Sequence, residues 1–461
     1  MTPRTDPSHV ERSVHRAAAH HDRTPPRADH GPAERPDVVS ARLARFAVTR
    51  DARVLWPDVS ASAFRAAQAE IGRVIVAALS DSVAPVALQV PPGANARAIG
   101  VAAYAGAVGA LLGYWCETGR VVAEPTAARV LAIHLDDGRR RATRLRSGFE
   151  SALIAFADQG VEVCVLKGMH TGHRYFPEPG TRTASDVDIL VRPGEWDTAR
   201  AVLRQLGFIE SNLGPGGIQG MSDSVTANAP TAVPSVRIVD RTHPDQPWSV
   251  DLHRSLSCTP FAGLTATLGT LDLATAEVWH EFSRPVRVLP QPLLLAYLAL
   301  HASGHFYTMK QAWLVELVLV ARRDFAGRAE RWQALDELVS RAGVGRFVFP
   351  ALELAERLVP GTIDAGLRER LATRAPRRLR QIVGATAPAL AQHLHPHPGL
   401  RDRFVWIASA REAFLALAWL LWPRDGEHPA SPGAALGAAL GAQWRRLRRG
   451  VHRIVLGRFR R

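Results

Sequence analysis

The sequence predicts an α+β protein in which a small sheet-bearing core is flanked by α-helical regions. Three observations carry this. Apolar residues recur at helical spacing through most of 41–157 and again from 257 to about 422. Between those stretches, short aliphatic runs alternate with turn-forming residues and one amphipathic segment. The two ends lack a core-forming pattern. The organisation that follows is a disordered segment over 1–40, a helical region over 41–150, an α/β core over 151–256, a helical domain over 257–425, and a basic amphipathic or disordered tail over 426–461.

Residues 1–40 are rich in Pro, His, Arg, Asp and Ala and cannot bury enough apolar surface to order themselves. Ser60–Leu79 and Ala98–Cys116 are the first expected helices, separated by the Pro-containing stretch 84–93. The second has 19 uncharged residues, close to the ~20 that span a bilayer. It is built of Ala and Gly rather than Leu, Ile and Phe, which favours a buried helix with close packing over membrane insertion. Ala127–Ala157 is a longer helix, with Leu131, Leu135, Leu145, Phe149, Leu153 and Phe156 near one face.

Strand character begins at Val161–Leu166 and stops at Lys167-Gly168. Ala184–Val191 is a second strand, ended by Pro193-Gly194. Glu195–Leu206 is a helix that turns Trp196, Ala199, Val202 and Leu203 inward, and a short strand starts near Gly207–Ile209. The Gly-, Ser-, Asn- and Pro-rich stretch 211–234 reads as a long loop. Val236–Val239 and Trp248–His253 read as strands. Helices are then expected at Leu293–His305, Gln311–Arg322, Trp332–Arg341, Phe347–Leu358 and Ala413–Trp422.

The chemistry is concentrated in the core. In Asp186-Val187-Asp188-Ile189-Leu190-Val191 the period of 2 places both aspartates on one strand face. Two carboxylates side by side repel unless a cation or a proton lies between them. Lys167-Gly168, 17 residues upstream of Ser185, supplies a cation and a residue that lets backbone N–H groups approach a ligand. Together these parts point to a site for Mg²⁺ and a nucleoside triphosphate. A site of this kind needs a third acid, and Asp251 fits, on the same strand face as Ser249 and His253.

Composition narrows the alternatives. Of 57 basic residues only Lys167 and Lys310 are lysines, and the net charge is +14. Three widely spaced cysteines without CxxC indicate neither a disulfide framework nor a zinc site. No basic-then-apolar signal pattern opens the chain, so a cytoplasmic protein is expected.

The core resembles the uncharacterised nucleotidyltransferase-like group of the DNA polymerase β-type nucleotidyltransferase superfamily. The resemblance rests on Leu166-Lys167-Gly168, Tyr175-Phe176-Pro177 with Pro179-Gly180, Arg182, the Asp186–Val191 run and Val250-Asp251-Leu252-His253, and it covers roughly 140–360. It implies a small mixed-sheet, polymerase β-like nucleotidyltransferase core. It also implies Mg²⁺ on Asp186 and Asp188, with Asp251 completing the metal site or acting as base. Gly168 would cradle phosphate while Lys167 and Arg182 neutralise it. An NTP, ATP above all, would be the donor, and the acceptor a small molecule or peptide, in keeping with a setting of natural-product biosynthesis. The wider superfamily carries Gly-Ser or Gly-Gly after its first strand. Here Met169 follows Gly168, and Lys167 stands in for the missing serine contact.

Two other readings accompany the enzyme: a non-catalytic relative that binds a nucleotide or a partner, and a membrane-associated scaffold. Residues 441–461 carry eight arginines and no acid, with apolar residues interleaved. Such a tail suits peripheral contact with an anionic membrane better than nucleic acid. His301 and His305, four apart, have metal-ligand spacing but no third ligand in sequence, which favours helix packing.

Overall fold

The computed structural model describes Ala41, Trp56 and residues 58–80, 84–211, 224–229, 248–261, 264–388 and 404–421. The expectations for 1–40, for a strand at 236–239 and for the basic tail lie outside these residues.

Helix α1 (Ala61–Leu79) begins where Ser60 caps it, the Ser60 hydroxyl accepting from the Ala63 N–H at 3.1 Å. The stretch expected as one helix at 98–116 is instead two, α2 (Ala96–Ala105) and α3 (Gly109–Glu117). Ala107 at φ 56° turns the chain between them. Among the described residues no helix is long and apolar enough to cross a membrane. The small residues serve close packing: a Cβ at Gly113 would lie 2.3 Å from the Leu131 carbonyl oxygen on the next helix. That helix, α4 (Pro125–Asp158), follows a two-stranded parallel pair, β1 (Val86–Leu88) with β2 (Val121–Ala123).

Among the described residues the central sheet has seven strands. β3 (Val163–Val165) pairs antiparallel with β4 (Asp186–Val191), and β4 pairs parallel with β7 (Ser249–His253). Helices α5 (Met169–Arg174) and α6 (Trp196–Gln205) lie in the connections. Beyond β7 come β6 (Ser224–Asn228) and β5 (Ile209–Ser211), both antiparallel. β6 lies inside the stretch expected as loop; it is half-buried and polar, so no apolar alternation marks it. On the other edge β11 (Val286–Val288) joins β3 in parallel and carries β10 (Glu277–Trp279). Residues 257–288 were expected to be helical. They form these two strands and the hairpin of β8 (Ser257–Phe261) with β9 (Leu264–Thr267), each too short for a period to show.

The two faces of the sheet differ. Val187, Ile189, Val191, Val250 and Leu252 pack with Phe149, Phe156, Val202 and Leu203 of α4 and α6. Cys164, Leu166 and Leu190 face the other way, into a core shared with the C-terminal helices. Those are α7 (Leu293–Gly304), α8 (Gln311–Asp324), α9 (Ala329–Arg341), α10 (Gly345–Leu358), α11 (Ala365–Arg374) and α12 (Arg377–Ala385), with α13 (Ala410–Leu421) beyond. By the period of 2, Asp186, Asp188, Asp251 and His253 stand on this second face. The acids therefore lie between sheet and helices.

Candidate active site

Register brings the three acids together. β4 and β7 run parallel with Asp188 opposite Asp251 and Asp186 opposite Ser249. Carboxylate oxygens of Asp186, Asp188 and Asp251 all lie within 4.8 Å of one another. This is the constellation that alternation within each strand predicts, and strand pairing supplies the part no single strand specifies. The cluster is electrostatically loaded. Burial, then the charges of Asp188 and Asp186, push the Asp251 carboxyl up to about 6, against a hydrogen bond from Thr226 on β6. A divalent cation relieves that repulsion, and an all-oxygen donor set suits a hard ion. The residues present fit a metal of the Mg²⁺ class.

Asp188 is the most enclosed of the three, 3 % exposed. One of its oxygens accepts from Lys167 Nζ at 2.5 Å, and His253 Nε2 lies 3.4 Å from the other. Burial alone would raise the Asp188 pKa; Lys167 and His253 overcome it and hold the carboxyl well below the usual range. For Lys167 burial opposes the charge, and Asp188 and Asp186 prevail, so the ammonium stays protonated. Lys167 is thus brought to the triad, as a partner of Asp188.

Gly168, at φ 69° and ψ −87°, turns the chain from β3 into α5. An added Cβ there would meet only Ala184 Cβ at 3.9 Å, so the glycine answers a backbone conformation rather than crowding. Gly168 and Arg182 also border a cavity of about 280 Å³ whose walls include Met169, Trp279 and Phe282.

Arg182 is 8 % exposed and bound by Glu316 of α8, Nε to Oε1 at 3.1 Å and Nη2 to Oε2 at 2.9 Å. Thr171 of α5 donates to the same carboxylate. Burial works against the Arg182 charge and Glu316 restores it, leaving the guanidinium above its ordinary value. This bidentate pair ties the lead-in of β4 to the helical domain.

The helical wall carries residues that sequence reasoning left as packing. The His301 ring centroid lies 4.9 Å from His305 and 5.1 Å from Trp313, and Tyr297 lies 6.5 Å from His301. Burial and the Lys167 charge hold both histidines below the usual imidazole value, so they are neutral near pH 7. Their i, i+4 spacing was the available signal, and it meant a shared face. Thr226, in a strand the sequence does not announce, gave none.

An acidic triad on neighbouring parallel strands, with a glycine turn and a cation beside it, defines a candidate metal-dependent phosphoryl- or nucleotidyl-transfer site. The family model described as "Uncharacterised nucleotidyltransferase" matches residues 97–360, more than half of the chain, and the chain belongs to that family. No curated protein and no solved structure matches it.

Proposed function

We propose that the chain is a Mg²⁺-dependent nucleotidyltransferase with a polymerase β-like core, moving an NMP from an NTP such as ATP to an oxygen of a small molecule or peptide. The observation that carries this reading is the convergence of Asp186, Asp188 and Asp251 within 4.8 Å. Family membership supports the reaction class.

The reaction breaks the bond from the α-phosphorus to the oxygen it shares with the β-phosphate. It forms a bond to the acceptor oxygen, releases pyrophosphate and frees one proton. Asp186, Asp188 and Asp251 are the residues that would hold the metal, which when bound neutralises phosphate charge and draws nucleophile and phosphorus together. Lys167 keeps Asp188 ionised and fixed, with His253 at its second oxygen. Asp251 is the acid that would complete the metal site or act as base toward the acceptor hydroxyl, whose proton must leave as the new bond forms. The cavity beside Gly168 combines Met169, Trp279 and Phe282 with the charged side chains of Arg139, Arg146, Glu178 and Arg182.

The Lys167–Asp188 contact favours one alternative. An ammonium on Asp188 can replace a metal rather than assist it, as in a non-catalytic nucleotide-binding relative. Calorimetric titration with MgCl₂ and each NTP separates the two. The enzyme reading expects nucleotide binding that requires Mg²⁺ and is lost in Asp186→Asn with the circular dichroism spectrum unchanged. Asp186 is the better position to alter, since Asp188 also neutralises Lys167. Nucleotide binding indifferent to Mg²⁺ supports the non-catalytic relative, and no NTP binding at all sinks both.

A further inference from the structure

A run of arginines on α4 has no part in the transfer chemistry, yet it borders two cavities at once. Between Gly138 and Gly148 the helix reads Arg-Arg-Arg-Ala-Thr-Arg-Leu-Arg-Ser. Each glycine marks a close approach. A Cβ at Gly138 would lie 2.3 Å from the Gly180 carbonyl oxygen, and one at Gly148 would lie 2.4 Å from Trp248 Cζ2. The helix is thus pinned at both ends of the stretch. Between the pins, Arg139, Arg140, Thr143, Arg144 and Ser147 follow helical spacing along one side. With Trp248 they line an open groove of about 610 Å³, and among the described residues no acid lines it.

The groove continues inward. Arg139 and Thr143 also border the 280 Å³ cavity, whose buried end is formed by Gly168, Arg182 and Ala184. Gly168 follows Lys167, which holds Asp188, and Ala184 precedes Asp186 by two residues. The cations along this path differ in what they hold. Arg139 is bound by Glu117 and Glu178, and Arg182 by Glu316. Arg146 lies 5.3 Å over the Phe282 ring and 3.7 Å from Glu281. Arg140, at the groove, is exposed and has no hydrogen bond or ion pair among the described residues. Arg144 stands one turn from it, and like charges at that spacing repel unless an anion joins them.

Resting on the nucleotidyl-transfer reading, we propose that groove and cavity together bind the acceptor, and that the acceptor is an organic anion, a carboxylate or phosphate on an apolar body. The charged group lies on Arg140 and Arg144, whose planar forks match either anion with paired hydrogen bonds. The body enters the cavity between Ala142 of α4 and the side chains of Met169, Trp279 and Phe282, where apolar surface leaves water. This orientation directs the far end of the acceptor toward Gly168 and Ala184, next to the residues that deliver Lys167 and Asp186 to the triad. The groove therefore serves recognition, and the oxygen that reacts belongs to the opposite end of the molecule.

Three probes that share one ring system and differ in charge provide the assay: 2-naphthoate, 2-naphthyl phosphate and 2-naphthol. In equilibrium dialysis against the full chain each anion is expected to bind about tenfold tighter than naphthol, and the tighter of the two names the group that the groove prefers. Arg140→Glu alters an exposed side chain without a partner. It should weaken both anions by about tenfold or more and naphthol by less than about twofold. Ala142→Phe fills the cavity and should weaken all three probes, with the circular dichroism spectrum unchanged in both variants. MgATP should bind both variants as it binds the wild type and should leave the affinity for the anions unaltered. Anions that bind no tighter than naphthol, or as tightly to Arg140→Glu as to the wild type, overturn the proposal and leave the nucleotidyl-transfer reading standing. MgATP that displaces the anions gives the cavity to the donor and overturns it as well. Wild-type protein that binds the anions but no nucleotide overturns the acceptor role together with the nucleotidyl-transfer reading.

Discussion

Asp251 carries the clearest residue-scale consequence of the acid cluster. Its carboxyl sits near 6 rather than at the ordinary 3.8, because burial and two neighbouring aspartates disfavour its charge. The sign follows from linkage: the metal-free fold holds a proton between pH 3.8 and 6 that the unfolded chain has released. That stabilising difference is complete below pH 3.8 and is lost as pH rises through 6. Asp251→Asn has no charge to lose. In EDTA its melting temperature should match the wild type near pH 4 and exceed it at pH 7.5, by the equivalent of on the order of 2 kcal/mol. In excess MgCl₂ the wild type should gain stability at pH 7.5 and the variant little. Thermal unfolding at the two pH values checks this, and a variant no more stable than wild type at pH 7.5 in EDTA refutes it.

At the scale of elements, α8 holds the site together. Glu316 accepts from Arg182 and from Thr171, joining the lead-in of β4, α5 and the helical domain at one carboxylate. Removing one partner of a buried pair strands the other charge, a cost of about 3–5 kcal/mol, whereas replacing both by apolar residues costs less. Glu316→Ala should therefore lower stability by that amount, and Arg182→Met with Glu316→Leu should recover much of it. Urea titrations of the two variants decide. Elements of this kind were legible where periodicity is long or a cap is explicit: Ser60 before α1, the apolar face of α4, the aliphatic run of β4. β6, β10 and β11 were not legible, because three to five residues with one face on polar neighbours show no period. Within the site the acids could be read, since strand alternation fixes their side. The partners of Lys167 and Arg182 could not: Glu316 lies 134 residues from Arg182, and only the packing of α8 on the sheet brings them together.

On the scale of the whole molecule, the sheet is a shared wall. One face is closed by α4 and α6, while Cys164, Leu166 and Leu190 on the other belong to the core of α7 to α10. The chain makes this division before the helical domain begins, because β11 at Val286–Val288 is the direct neighbour of β3. A core cut at 151–256 would lose that edge, most of α4, and the helices covering the acid face. β3 would then present unpaired backbone groups, and Leu190 and Leu166 would meet water, which invites association between edges. The fragment 151–256 is expected to be aggregated or to melt without a cooperative transition. A chain spanning 58–388 should unfold in one transition near that of the full protein. The comparison requires only circular dichroism melts and light scattering on the two fragments. A monomeric, cooperatively melting 151–256 would show that the sheet stands alone and that the helical domain is an addition to it. The expected outcome makes the two halves a single folding unit, with the acids at the seam.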